Sequence, residues 1–234
     1  MVYVTGDTHG FVKRFMYNNM GDDDWGKDDF LIICGDFGFG FENTENDKKR
    51  LDFLATKPYT ICFCDGNHEN FSMLKGCPVE KWHGGLVHRI RENVIHLMRG
   101  QVFEIENKTF FTFGGAYSED RERRQEGVSW WEDEMPNQAE MNMGRENLER
   151  YNYKVDYIIT HTVPQEISKR LIQKLPWDLR MDMELHFSDY KLTSFLGEIL
   201  EKTEFKHWYF GHWHFDMSVD EKSTAVLNEV HKLE

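Results

Sequence analysis

An α/β protein with two packed mixed sheets and helices on the outside is the architecture this sequence predicts. Three observations carry that expectation. Short apolar runs recur along the chain, several of them continuous, as in strands buried on both faces. In the first half these runs alternate with helical patterns, which predicts βαβ units and parallel pairing. Between Val94 and Phe113 short runs follow one another around a turn at Glu106-Asn107-Lys108, a pattern that looks antiparallel.

Strands are predicted at residues 2–4, 30–34, 59–64, 94–97, 101–105, 109–113, 157–159, 208–210 and 223–228. A helix over 46–56 places Leu51, Phe53 and Leu54 among charges. Thr162 can cap a helix that begins at Pro164, where proline is tolerated in the first turn. Ser188 can cap another reaching about Lys202, in which Leu192, Phe195, Leu196, Ile199 and Leu200 form one apolar stripe. The acidic segment 21–29 reads as a solvated loop. Residues 118–151 carry no strand pattern and are rich in Arg, Glu, Trp and Met. Such an insertion, here expected to cover the active site of a single domain spanning 1–234, tends to be functional.

Composition narrows the class. Of 234 residues 40% are apolar and 15% aromatic, enough for a sizeable core, while the net charge of −13 repels nucleic acid and anionic membrane. The cysteines Cys34, Cys62, Cys64 and Cys77 read as reduced, mostly buried thiols. Cys62-Phe63-Cys64 lacks a second pair to make a zinc site and reads as strand core. Met1 leads straight into a strand and no apolar stretch approaches the ~20 residues of a membrane span, so a cytoplasmic protein is expected.

Five islands then stand out, each directly after an apolar run: Gly6-Asp7-Thr8-His9-Gly10, Gly35-Asp36, Gly66-Asn67-His68-Glu69, Thr160-His161 and Gly211-His212-Trp213-His214. Taken singly each is unremarkable, since Gly-Asp and Asn are common at turns and a lone histidine is usually structural. Together they deliver two carboxylates, one amide oxygen and four imidazoles from the ends of separate strands, which is how a rigid frame builds a metal centre. That donor set suits two divalent transition-metal ions, Mn²⁺ or an Fe/Mn pair with Zn²⁺ as a further choice, better than Ca²⁺ or Mg²⁺ with their all-oxygen shells. Two such ions, two carboxylates and a bridging hydroxide leave about one positive charge, which draws an anionic phosphate despite the acidic surface.

In their order, from Gly6 to His214, these motifs resemble those of the calcineurin-like metallophosphoesterases: GD-x-H, GD-x-x-D, GNH-[ED], a lone His after a strand, and GH-x-H. The resemblance implies a four-layer α/β/β/α sandwich with a binuclear centre between the sheets. It implies that Asp7, His9, Asp36 and His214 hold one ion and that Asp36, Asn67, His161 and His212 hold the other, with Asp36 bridging. It makes His68 the catalytic residue facing the leaving group. One departure is informative. Phe39 stands where the family's second Asp is expected, and Gly40 where protein phosphatases carry a phosphate-gripping Arg. That argues against a protein Ser/Thr phosphatase of the calcineurin type.

Replacement phosphate ligands are expected in the insertion. Gly114-Gly115-Ala116-Tyr117-Ser118 follows a strand, and Arg121, Arg123 and Arg124 come at once after it. Tyr117, Arg121 and Arg124 are the candidate substrate contacts. Against this, the arginines can equally pair with Glu119, Asp120, Glu122 and Glu126 on a solvated face. Trp130 and Trp131 read as lid or core packing, and Met135, Met141 and Met143 as flexible packing. His83, His88, His96, His186, His207 and His231 have no motif context and read as structural or exposed.

The expected activity is hydrolysis of a phosphate ester of a small metabolite or nucleotide by a metal-bridging hydroxide, with His68 protonating the leaving oxygen. A phosphodiesterase or nuclease acting on cyclic nucleotides or nucleic acid is the alternative. A non-catalytic protein-binding scaffold is a third reading, which the full ligand set disfavours. The oligomeric state is not legible.

Overall fold

The structure is a computed structural model, and it describes residues 1–183 and 190–234. Its strands are β1 (Val2–Thr5), β2 (Phe30–Ile33), β3 (Thr60–Phe63), β4 (Val79–Trp82), β5 (Gly85–Arg91), β6 (Val94–Leu97), β7 (Gln101–Ile105), β8 (Lys108–Phe113), β9 (Tyr157–Thr160), β10 (His207–Phe210), β11 (Met217–Asp220), β12 (Ser223–Ala225) and β13 (His231–Leu233). The helices are α1 (Glu45–Ala55), α2 (Phe71–Lys75), α3 (Gln138–Arg150), α4 (Gln165–Lys174), α5 (Trp177–Met183) and α6 (Tyr190–Lys202).

Two mixed sheets result. One runs β13-β1-β2-β3-β6-β5-β4 and the other β11-β12-β10-β9-β8-β7. Alternation along each strand sorts the core into three apolar layers. Ile32, Cys34 and Cys62 of the first sheet meet Phe103, Phe110 and Ile159 of the second between the sheets. On the outer face of the first sheet Leu31, Ile33, Ile61 and Phe63 pack with Leu51 and Leu54 of α1. On the outer face of the second, Phe111, Phe113 and Ile158 pack with Leu148 of α3, Leu171 of α4 and the α6 stripe Leu192, Phe195, Leu196 and Ile199. Strands with both faces covered explain the continuous apolar runs in the sequence. This four-layer arrangement is the fold the resemblance implies.

Parallel pairing holds for β1–β2, β2–β3 and β3–β6, and for β8–β9 and β9–β10. The carboxyl ends of β1, β2 and β3 therefore share one rim of the first sheet, and those of β8, β9 and β10 one rim of the second. The 106–107 turn closes an antiparallel β7–β8 hairpin, with Glu106 and Asn107 both at positive φ. The chain changes sheets before it: β6 belongs to the first sheet, where it pairs with β3 and β5, and β7 to the second.

Several boundaries differ from the sequence reading. Strands β4, β5, β11 and β13 were not expected. Their short runs mix apolar with polar residues and carry no continuous apolar signal, and β4, β11 and β13 are sheet edges, where one ladder side is unpaired. The run over 223–228 ends as a strand at Ala225 because the Asp216 carboxylate accepts the backbone N–H groups of Leu227, Asn228 and Glu229. Pro164 is the cap residue of α4 and not its first turn. The Thr162 carbonyl accepts from Thr160 Oγ1. The acidic loop is less solvated than expected. Asp22 is buried, taking Lys57 Nζ at 2.8 Å and the Tyr59 hydroxyl at 2.7 Å, while Trp25 stacks on Tyr3. Ser188 and His186 lie outside the described residues.

Candidate metal centre and active site

The five islands meet where the two rims face each other. Asp7 and His9 follow β1, Asp36 follows β2, Asn67 follows β3, His161 follows β9, and His212 and His214 follow β10. The loops interlock through the backbone: the Asp36 carbonyl accepts from Thr8 N at 3.0 Å and His9 N at 2.8 Å, and Gly10 N donates to Phe37 O. Two glycines permit the approach. A Cβ on Gly66 would fall 2.1 Å from Asp36 Oδ1, and one on Gly211 2.0 Å from Asp7 Oδ1. Gly66 and Gly211 are thus seats for another motif's carboxylate, and Gly35 is one for the His161 ring.

Four of the island residues, His9, Asp36, His212 and His214, have positive φ between 45° and 67°. None is glycine, so the backbone is strained where the donors are aimed, as is common at functional sites.

The donors converge. One oxygen or ring nitrogen from each of Asp7, His9, Asp36 and His214 lies within 4.8 Å of the other three. Within that group His9 Nε2 is 3.0 Å from His214 Nε2, and His214 Nε2 is 3.2 Å from Asp7 Oδ2. On the deeper side His161 is wholly buried. Its Nδ1 donates to the Cys34 carbonyl at 2.9 Å, which turns Nε2 toward Asp36 Oδ1 at 3.3 Å and Asn67 Oδ1 at 3.2 Å. Asn67 Nδ2 donates to Ser118 Oγ, fixing which amide atom faces inward. The His212 ring lies 4.9 Å from that of His161, and its backbone N–H donates to both Asp7 oxygens.

Such a set of acceptors needs positive charge among them. Burial would pull the His161 imidazole down, yet Asp36 and Asp7 hold it up at about 10. Burial and the neighbouring His161 push His212 down to about 3. Burial opposes charge on Asp36, but His161 keeps that carboxyl well below the usual carboxylate range. A field that favours a proton on His161 favours a cation in the same place, and the donor set, two carboxylates with imidazoles and an amide oxygen, fits divalent transition metals.

His68 sits at the mouth of this cluster. Its backbone N–H donates to Asp36 Oδ1 at 2.8 Å, and its ring lies 5.3 Å from that of His9. Arg124 lies alongside it, with Nη1 3.3 Å from Nδ1 and Nη2 3.4 Å from Nε2. Burial pulls the imidazole below its ordinary range, Arg124 adds to that, and Asp36 opposes it. Arg124 also pairs with Asp120 through Nε at 2.8 Å, the ion pair that the sequence offered for it.

Arg121 is placed differently. Its guanidinium lies 3.5 Å over the Tyr117 ring and 4.9 Å from that of Trp130. Its Nε donates to the Ser118 carbonyl, and its Nη2 is buried without a hydrogen-bond partner among the described residues. Tyr117 and Arg121 therefore brace each other, and Arg124 alone of the three lies against a motif residue. Trp131 is buried, donating to Ser72 Oγ and meeting Phe41 at right angles.

The unusual second motif also has a structural account. Phe37 stacks on Phe63, and Phe39 is buried against Phe15 and Phe37. Gly40 has φ +85°, and a Cβ there would meet Met73 Cε at 2.9 Å and Leu51 at 3.4 Å. A side chain at 40 would point into the core and not toward the donors. The loop is held instead by Glu69, buried, whose carboxylate accepts from Phe37 N at 2.7 Å and Gly38 N at 3.2 Å.

Three further groups escaped the sequence reading. Arg14 donates to the Gly6 and Asp7 carbonyls and to Thr5 Oγ1, bracing the first loop from outside. Asp65, buried just before the third island, takes Arg99 through two nitrogens and His96 Nε2 at 3.1 Å. Arg99 in turn donates to the Asp133 and Glu134 carbonyls and to Glu140, tying the loop that carries Asn67 and His68 to the insertion. The sequence signal for Arg99 was weak, a lone arginine before a glycine. That for α3 was legible: Asn137 and Glu140 form a capping box, and Met141, Gly144 and Leu148 lie on one buried face.

Among the described residues no helix is long and apolar enough to cross a membrane. Comparison with curated proteins gives no match. A family model described as calcineurin-like phosphoesterase matches residues 1–216, a span that contains both sheets' strand-end loops and the insertion between them. With that match and this fold, the chain belongs to the calcineurin-like phosphoesterases, hydrolases of phosphate esters that depend on divalent metal ions.

Proposed function

We propose that this chain hydrolyses the phosphate monoester of a small metabolite at a two-metal centre. The observation that carries the reading is the convergence of two carboxylates, an amide oxygen and four imidazoles beside His68. Asp7, His9, Asp36 and His214 would hold one ion, and Asp36, Asn67, His161 and His212 the second. Divalent ions so held activate water and neutralise phosphoryl oxygens. Manganese or an iron/manganese pair suits this nitrogen–oxygen donor set, and zinc is the next choice.

The protein's own groups do the rest. His68, anchored through its backbone N–H to Asp36, would protonate the leaving oxygen. Arg124 supplies the guanidinium that position 40 lacks, close enough to His68 to bind the phosphate being transferred. Arg121 sets the shape of the segment that carries it. The insertion reaches the centre through Ser118 at Asn67 and Arg124 at His68, where a covering segment would limit access by a polymer, and the charge of −13 acts in the same sense. A cytoplasmic setting suits the free, buried thiols.

The test is a hydrolysis screen of the Mn²⁺-loaded protein with p-nitrophenyl phosphate, its bis-ester, nucleotides and cyclic nucleotides, together with elemental analysis. Monoester turnover and close to two ions per chain are expected. Diester-only turnover would move the reading to a phosphodiesterase. Fewer than one ion per chain would sink the two-metal centre.

A further inference from the structure

A cleft of about 200 Å³ opens from the outer side of His9 and His68 and runs toward the start of α1. Beyond the two histidines and Gly38, its walls are the side chains of Phe41, Glu42, Asp47 and Arg50. Nothing in the hydrolytic machinery uses these four residues, yet they line the space that a group leaving toward His68 would enter.

Each wall has a definite chemistry. Phe41 is half-buried, its ring 6.4 Å from that of His68 and held at right angles to Trp131 at 5.6 Å. It is an immobilised apolar surface. Arg50 approaches Asp47 Oδ1 at 3.6 Å and makes no hydrogen bond among the described residues, so the donors of its guanidinium are open to a ligand. Asp47 Oδ2 is already occupied by the backbone N–H groups of Glu42 and Thr44, whereas Glu42 is an exposed acceptor at the rim.

We propose that this cleft is the leaving-group subsite and that it takes a neutral polyhydroxy moiety of monosaccharide size, which makes sugar monophosphates the substrate class. The inference rests on the hydrolase reading above. Open guanidinium donors and a carboxylate acceptor match vicinal hydroxyls, and the fixed Phe41 ring matches the C–H face of a sugar ring. Two acids beside one arginine leave the cleft without positive charge, so a second phosphate on the leaving group is disfavoured. A nucleoside would fill the cleft with its ribose and leave its base outside.

The experiment compares kcat/KM for a hexose monophosphate, a hexose bisphosphate, a nucleoside 5′-monophosphate and p-nitrophenyl phosphate, using the Mn²⁺-loaded full chain and its R50Q and F41A variants. The hexose monophosphate should exceed the nucleotide and the bisphosphate by at least about tenfold. R50Q should lower the ratio of hexose monophosphate to p-nitrophenyl phosphate by about tenfold, the size of one charge-assisted hydrogen bond. F41A should lower it by less. R50K, which keeps the charge but loses the fork, gives the same readout if R50Q does not fold. Preference for the nucleotide or the bisphosphate, or a ratio unchanged within twofold in the variants, overturns this inference while leaving the hydrolase intact. No hydrolysis of any ester overturns the hydrolase reading and this inference with it.

Discussion

The strand-end cluster and the insertion over 118–151 place their functional groups by different means. In the cluster, seven candidate donors stand within a few residues of five parallel strands, and each loop is locked by another loop's backbone or carboxylate. In the insertion, side chains are placed by contacts internal to the segment, such as Arg121 between Tyr117 and Trp130 and the Asn137–Glu140 cap. The segment meets the cluster through Ser118 at Asn67 and Arg124 at His68, and below through Arg99, which holds Asp65 and donates to Asp133, Glu134 and Glu140. On the proposed function, the difference teaches that the metal chemistry would be anchored in the sheets, while the handling of substrate would rest on a few side-chain bridges. Mutations in the first region should therefore abolish activity with its metal, and those in the second should change rate or affinity while the metal stays.

The largest effect is expected from Asp36→Asn. Asp36 lies against His9, His161 and the His68 backbone at once, so its loss should lower the occupancy of both ions and cut kcat by at least ~10³-fold, the several kcal/mol that metal charge supplies. His214→Ala should mainly empty one ion, and metal analysis that shows both variants alike would erase the distinction. His68→Ala comes next, with a loss in kcat of roughly 10²–10⁴-fold and metals retained. The loss should shrink for substrates with good leaving groups. If the penalty is the same for every leaving group, His68 is not the acid.

The bridge between the regions can be cut from below. Arg99→Met takes the guanidinium partner from the buried Asp65 carboxylate, leaving it His96, which should destabilise the protein by about 3–5 kcal/mol. Denaturant unfolding measures this, and a change under 1 kcal/mol would show the tie to be dispensable. Burial alone would raise the Asp65 pKa, but Arg99 and His96 hold it below the usual carboxylate range. A depressed folded-state pKa means stability that is present above the unfolded value of about 3.9 and lost as pH falls below it. Wild type should therefore lose stability in acid below about pH 4, and R99M should show a flatter acid limb. Smaller still is the contrast between the two arginines. Arg124→Ala should lower kcat/KM by about 10–100-fold, from one or two charge-assisted hydrogen bonds at 1.5–3 kcal/mol each, discounted for its exposure. Arg121→Ala should act more on thermal stability than on rate. Equal effects would mean that the insertion works as a body and not through Arg124.

Much of the donor set was readable because its signal is local. A glycine, a carboxylate or a histidine directly after a buried strand needs only strand periodicity to be placed, and parallel pairing then brings all strand ends to one rim. The hairpin at Glu106-Asn107 and the α6 stripe were legible for the same reason: turn chemistry and a 3.6-residue period are written in consecutive residues. The polar strands β4, β5, β11 and β13 were not, since pairing at or near an edge leaves little apolar mark.

By itself, then, the sequence determined which residues could ligate, that they sit on strand ends, and that the layers are α/β/β/α. Only the tertiary structure decided which arginine lies against His68, that a side chain at position 40 would point into the core, that Arg99 ties the His68 loop to the insertion, and that a cleft lined by Phe41 and Arg50 opens beside the centre. The reason is physical. Arg121 and Arg124 are three residues apart in similar company, and what separates them is an aromatic sandwich and a histidine from another loop. Such choices depend on contacts between segments far apart in the chain, which no local pattern encodes.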